Sequence, residues 1–218
     1  MGNLHNGFIE ILDLGIKPFE EVWSLQKILQ FKRIKGQISD TLILVEHEPV
    51  YTFGKNGNHD HLLPEHNRKI RVFNTERGGD ITFHGPGQLV VYPIINLKNY
   101  RTSIFWYIRT LEEVIIECLK YYEIFATRID GLTGVWVKNK KIAALGVRIS
   151  RWVTMHGFSL NVYTDLKYYD GIIPCGVRDY GVTSIEKVSG EVHKMSLVKG
   201  LVSKKFNQCF SINPSEGN

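Results

Sequence analysis

Gly134-Val135-Trp136-Val137, Lys141 to Ile149 (KIAALGVRI) and Val153 to Val162 (VTMHGFSLNV) are three strand-like runs placed almost end to end. Each is β-branched or alternates apolar and polar residues. Only Lys138-Asn139-Lys140 and Ser150-Arg151-Trp152 separate them. Connectors this short leave no space for the crossover that parallel neighbours need, so the runs pair antiparallel. Working outward, Phe8 to Leu14, Thr41 to Glu46, Val72 to Thr75 and Leu89 to Ile95 also read as strands. Pro18 opens a helix (PFEEVWSLQKILQFKRIKG) with acids early, bases late and Gly36 as its stop. Thr102 to Tyr122 is a second helix with Ile104, Ile108, Leu111, Ile115 and Leu119 on one face, and Lys194 to Phe210 is a third, carrying Leu197, Leu201, Val202 and Phe206. The expected class is α/β (α+β): a mixed, partly antiparallel sheet flanked by helices. No Gly-x-Gly-x-x-Gly follows the first strand and no glycine loop ends in Gly-Lys-Ser/Thr, so dinucleotide and P-loop readings lose their main support.

The composition agrees with one globular domain over residues 1–218. A hydrophobic share of 43% with 22% charged residues supplies a core and excludes disorder, collagen-like repetition and a disulfide-stapled mini-protein. The formal charge of +5 is small for a nucleic-acid binder and suits an acidic protein partner at least as well. Cys118, Cys175 and Cys209 show no paired spacing, which points to a reducing compartment. No apolar run approaches the roughly 18–20 residues of a membrane span, and the first residues carry no targeting pattern. The chain is expected to be intracellular.

Three glycine-containing segments stand apart from the core pattern. Arg77-Gly78-Gly79-Asp80-Ile81-Thr82-Phe83-His84-Gly85-Pro86-Gly87-Gln88 bends its backbone so that it can approach a ligand closely, although it also reads as a structural turn. Gly171-Ile172-Ile173-Pro174-Cys175-Gly176 holds a thiol at a turn, whereas Cys118 and Cys209 sit in helical patterns as small core residues. An ordinary thiol, with pKa ~8.5, is only a few per cent thiolate near neutrality, so a nucleophilic Cys175 needs a cation or base beside it. In Lys138-Asn139-Lys140-Lys141 adjacent residues point to opposite faces, so Lys140 and Lys141 cannot both face solvent on a central strand. The candidate partner lies in this segment, where Lys141 begins an apolar run that would draw it into a low-dielectric pocket; the plainer reading is a solvated turn, and spacing alone does not choose among the lysines. The third segment, Met155 to Val162, sets Phe158, Leu160 and Val162 on one face and Ser159 and Asn161 on the other. Gly146 and Gly157 leave room for a ligand or ease sheet packing. A cysteine pair with His84 or His156 is a weaker arrangement. His59-Asp60-His61 with His66 is read as a solvated loop rather than a zinc site.

Taken together these segments resemble the lipoyl(octanoyl) transferase family. The resemblance rests on EHEPVYTFGK at Glu46–Lys55, RGGDITFHGPGQLVVYPI at Arg77–Ile94, KIAALGVRISRWVTMHGFSLNV at Lys141–Val162, and IIPCG followed by VTSI within Ile172–Ile185. It implies a fold shared with lipoate and biotin protein ligases. It further implies an acyl-thioester intermediate on Cys175 and an activating lysine at Lys141. Substrate contacts are implied from Arg77, Gly78, Gly79, Asp80, Ile81, Thr82, Phe83 and His84, from Ala144, Leu145 and Gly146, and from Gly157, Phe158 and Ser159. Asp80 and Ser159 stand where such families vary most.

The implied reaction moves octanoyl from octanoyl-acyl carrier protein to a lysine ε-amine of apo lipoyl domains, those of 2-oxoacid dehydrogenases and of the glycine cleavage H protein. It needs no cofactor, metal or ATP, involves no nucleic acid or membrane, and takes place in the cytoplasm with the enzyme as a monomer. Backbone N–H groups near Gly157 to Ser159, or near Cys175, would stabilise the oxyanion. The rival readings are an ATP-dependent lipoate–protein ligase, an amidotransferase moving octanoyl between lipoyl domains, and a non-catalytic lipoyl-domain binder.

Overall fold

The computed structural model describes residues 9–64, 69–174 and 180–211. Its elements in chain order are β1 (Ile9–Lys17), α1 (Phe19–Ile34), β2 (Asp40–His47), β3 (Val50–Phe53), β4 (Arg71–Asn74), β5 (Thr82–His84), β6 (Gln88–Ile94), α2 (Ile104–Lys120), β7 (Thr127–Ile129), β8 (Leu132–Val137), β9 (Lys140–Ser150), β10 (Val153–Asn161), β11 (Gly181–Val182), α3 (Ile185–Ser189) and α4 (Met195–Cys209). The main sheet runs β1-β2-β6-β10-β9-β8-β7, with β11 added to β9. Two pairs, β1 with β2 and β11 with β9, are parallel. The three consecutive runs that open the sequence reading form β8, β9 and β10, paired antiparallel as expected.

The central strands are apolar on both faces because both faces are covered. Leu42, Leu44, Leu89, Val91, Phe158 and Leu160 enter one cluster with Leu111, Val114 and Leu119 of α2 and Val198, Val202 and Phe206 of α4. Ile43, Val45, Val90, Tyr92 and Met155 pack on the opposite side with Val22 of α1. Helix α2 starts where the Ser103 hydroxyl accepts the Trp106 N–H at 3.2 Å. Ile104, expected on the buried face, is 54% exposed, because the first turn enters the cluster through Tyr107 instead; Leu197 in the first turn of α4 is likewise exposed.

Helix α1 buries polar side chains. Gln30 donates to the Val153 carbonyl at 2.9 Å, Arg33 pairs with Asp40 at 2.6 Å, and Gln26 accepts the His156 N–H at 2.9 Å. These hydrogen bonds join the apolar contacts of Val22, Trp23, Leu29 and Ile34 in fixing this helix over the sheet. A second sheet, β4-β3-β5, was not anticipated as a unit. Its strands are too short to show a period, and β5 lies inside the glycine-rich segment. It carries that segment over the open face of β6, β10 and β9.

Candidate active site

The register of three strands builds the floor of a pocket. Ser159 lies opposite Val90 on β6 and Ala144 on β9, and Gly157 lies opposite Gly146. Directly opposed residues share a face. Phe158, opposite Val91 and Leu145, turns its ring into the core beneath and lends the pocket only an edge. The roof comes from Arg77, Gly79 to Thr82, His84 and Phe19 of α1, over a narrow cavity of about 40 Å³.

Gly157 permits the floor to form: a Cβ there would sit 2.2 Å from the Val91 carbonyl oxygen. A Cβ on Gly146 would meet the Gly78 carbonyl oxygen at 2.8 Å. Gly78 itself donates its N–H to the Val147 carbonyl at 2.9 Å, tying the roof loop to the edge of β9.

Of the residues expected to touch substrate, all but Gly78 and Phe83 line this pocket. Gly78 is held behind it by the bond to Val147. The Phe83 ring faces away, stacked on Tyr168 at 4.6 Å in a cluster with Tyr51 and Tyr169, because alternation along β5 sends it opposite to Thr82 and His84. Arg77 is largely committed to architecture: its guanidinium donates to the Thr52 carbonyl at 2.5 Å and to the Gly78 carbonyl at 3.1 Å. Asp80 accepts the Asn58 N–H at 3.0 Å and pairs with His61. That pairing also accounts for one member of the histidine loop, and His59 packs at a tilt against Phe53, 4.6 Å between ring centres; His66 lies outside the described residues.

Two buried histidines brace the interior. His47 Nδ1 lies 2.9 Å from the Lys17 carbonyl, so it carries the proton, and Nε2 accepts from the Tyr92 hydroxyl at 2.8 Å. His84 Nδ1 bonds the Gln88 side-chain oxygen at 2.7 Å, and its ring stacks on Phe19. Burial pushes His47 down to about 4 and His84 down to about 3. Both are neutral in the fold, while in the unfolded chain each titrates near 6.5. The unfolded state therefore binds more protons below that value, and stability falls with falling pH between about 6.5 and 4. The slope approaches about 1.4 kcal/mol per pH unit for each histidine near pH 5, midway between its folded and unfolded values. Urea melts across this range check it, and His84→Gln should flatten the profile.

His156 lines the pocket but was not among the expected substrate contacts. Its φ of +58° turns its N–H out of the ladder towards Gln26. Its Nε2 is buried 3.9 Å from a Glu76 carboxylate oxygen, with no hydrogen-bond partner among the described residues. Burial lowers its pKa. The MHGFS string carried the signal, a histidine next to a required glycine. Val90 and Tyr92 were also missed; they follow from the register with Ser159 and Gly157. Phe158 and Ser159 lie between two paired strands, so the ladder consumes their N–H groups, contrary to the oxyanion role expected of that segment.

Lys141 is buried on β9 and lies outside the pocket lining, three residues before Ala144. Lys140, its neighbour, is exposed. Cys175 lies outside the described residues. On the chain before it, Ile173 N–H donates to the His61 carbonyl at 2.8 Å. On the chain after it, Val182 pairs with Lys141 and Thr183 N–H donates to the Lys141 carbonyl at 2.9 Å. Cys118 is fully buried and its thiol is pushed up to about 12, which removes it as a nucleophile.

This mixed-sheet fold is shared with known proteins. A family model described as the lipoyl protein ligase A/B catalytic domain matches residues 18–207. Among solved structures, lipoate-protein ligase A bound with ATP superposes with a TM-score of 0.67 at 14% identity, covering 96% of this chain and 87% of that one. Biotin protein ligase from Aquifex aeolicus gives 0.52 at 14% identity over 93% and 68%. These likenesses show the fold, and the chain belongs to the lipoyl protein ligase A/B catalytic-domain family.

Within that family its similarity is to octanoyltransferases. It is 50% identical to the octanoyltransferase of Rubrobacter xylanophilus over 81% of each chain, and 41% identical to that of Synechococcus elongatus over 93% of this chain and 88% of the relative. The chloroplastic octanoyltransferase of Arabidopsis thaliana is 48% identical over 78% of this chain, which spans 63% of that relative's length. Among the described residues no helix is long and apolar enough to cross a membrane.

Proposed function

We propose that the protein transfers octanoyl from octanoyl-acyl carrier protein to the ε-amine of a lysine on apo lipoyl domains, through a thioester on Cys175 activated by Lys141. The observation that carries this reading is convergence. Arg77, Gly79–Thr82, His84, Ala144–Gly146 and Gly157–Ser159, from three separate segments, share one pocket in a chain 41–50% identical to octanoyltransferases. The pairing of Val182 with Lys141 supports bringing the cysteine-bearing turn back to the lysine.

The Lys141 ammonium stabilises the Cys175 thiolate, which attacks the thioester carbonyl. The tetrahedral oxyanion collapses, the bond to the phosphopantetheine sulfur breaks, and the lysine proton passes to that leaving thiolate. The neutral Lys141 amine then accepts a proton from the incoming acceptor amine as it attacks. An amide forms and the Cys175 thiolate is released. Thioester exchange is nearly isoenergetic and amide formation is downhill, so no nucleotide drives the cycle. With the β10 ladder occupied, the oxyanion donors are assigned to the backbone of the Cys175 turn. Each methylene of the acyl chain held against Val90, Ile81 and Phe158 contributes about 0.8 kcal/mol. The formal charge of +5 favours acidic carrier and acceptor domains. The thiol suits a reducing compartment such as the cytoplasm.

The test is transfer without ATP. Incubation with octanoyl-carrier protein and an apo lipoyl domain is expected to add octanoyl to the acceptor, read by intact mass. Transfer only from free octanoate plus ATP would establish the ligase reading, and transfer only from an octanoylated lipoyl domain the amidotransferase.

A further inference from the structure

We propose that Trp136 is a positioning residue for Lys141: its indole face holds the ammonium, with Gly134 and Glu112 keeping the lysine stem in place. This rests on the reading of Lys141 as the activating group. Pairing of β8 with β9 is irregular at this point: Trp136 opposes Lys141, whereas Val135 opposes Ala143. The extra residue on β9, Ile142, is a bulge, and a bulge re-aims the side chains beside it. Here it sets Trp136 and Lys141 directly opposite one another on one face. The Lys141 Nζ lies 4.7 Å from the Trp136 ring centroid, within the reach of a cation–π contact. Trp136 is 1% exposed and Lys141 8%.

The stem is confined from the other side. Gly134 has φ +137°, and a Cβ there would lie 3.2 Å from Lys141 Cε and 3.0 Å from the Ala143 carbonyl oxygen. Its N–H is held by a carboxylate oxygen of fully buried Glu112 at 3.1 Å. The other Glu112 oxygen accepts from Arg109 at 2.8 Å and Arg128 at 3.1 Å, so the buried carboxylate is compensated. Helix α2 thereby anchors the one point of β8 that the lysine stem passes.

An aromatic face holds an ammonium without neutralising it. Ordering a long, rotamer-rich side chain before substrate arrives also removes an entropy cost from the chemical step.

The test compares wild type with Lys141→Ala, Trp136→Phe, Trp136→Leu and Gly134→Ala in the full chain, with folding checked by thermal melts. The first readout is the pH dependence of Cys175 alkylation by iodoacetamide, followed on the Cys175 peptide by mass. The second is the ε-methylene resonance of Lys141 in ¹³C-lysine spectra, identified by its loss in Lys141→Ala. In wild type the ring current should displace that resonance. Trp136→Leu and Gly134→Ala should return it towards the bulk lysines, move the alkylation midpoint towards that of Lys141→Ala, and lower kcat about tenfold or more with little change in KM. Trp136→Phe should restore most of each effect, and if Trp136→Leu fails to fold, Trp136→Phe and Gly134→Ala carry the comparison. An alkylation profile unchanged in Trp136→Leu but shifted in Lys141→Ala would overturn the positioning role and leave the dyad standing. If Lys141→Ala itself changes nothing, the activation reading fails, and the resonance then decides: a Lys141 signal unmoved by loss of the indole overturns the proposal.

Discussion

Cys175→Ser is expected to lower octanoyl transfer by a factor on the order of 10⁴ or more while the chain stays folded. A hydroxyl is not ionised near neutral pH even beside an ammonium, so the substitution removes the nucleophile and keeps nearly the same shape. Lys141→Ala should be less severe, because the thiol returns towards its ordinary ~8.5 and a few per cent of thiolate persists at neutrality. The two variants should therefore separate on raising the pH: Lys141→Ala regains part of its rate and Cys175→Ser regains none. Initial rates of acceptor octanoylation between pH 6.5 and 9, with circular dichroism on the same samples, measure this. Undiminished transfer by Cys175→Ser would remove the covalent step from the mechanism.

The second large effect is structural. Gly157→Ala puts a methyl group 2.2 Å from the Val91 carbonyl oxygen and 2.7 Å from Pro93 Cδ. The first is backbone of a central strand and cannot swing aside, so β6 and β10 must separate at the floor of the pocket. Overpacking of this kind is expected to cost about 3 kcal/mol or more. For a chain of this size that corresponds to a fall in Tm of roughly 6–12 °C. Activity should fall with it, since Val90 and Ser159 lose their register. Gly200→Ala is the control. It lies on the exposed side of α4 with nothing near its added Cβ, so alanine there should leave Tm unchanged or raise it slightly. A native Tm for Gly157→Ala would mean that the two strands lie further apart than described.

Much of this arrangement is legible in the sequence because its central strands are buried on both faces. Runs such as Thr41 to Val45 and Leu89 to Ile94 carry no polar interruption, and β8 to β10 are joined by turns too short for any other pairing. The pocket residues were accessible through glycines that close approach requires, as at Gly146 and Gly157. What stayed hidden depends on long-range register. The β4-β3-β5 sheet is built from strands of three or four residues, below the length at which alternation is visible. The α1 face towards the sheet reads as solvent-facing because Gln26, Gln30 and Arg33 are polar; only their strand partners make them interior. Phe83 was assigned to substrate as part of a contiguous motif, but alternation on β5 points it into the Tyr51 cluster. Trp136 looked like an ordinary strand residue until the bulge at Ile142 placed Lys141 opposite it.

The most direct measurement is intact mass of the wild-type chain after brief exposure to octanoyl-carrier protein with no acceptor and no ATP, followed by peptide mapping. A single octanoyl group on the Cys175 peptide, removed by neutral hydroxylamine and discharged by adding an apo lipoyl domain, is the predicted result. An unmodified chain that still octanoylates the acceptor when one is added, or an adduct confined to Cys118, Cys209 or a lysine, would contradict the account.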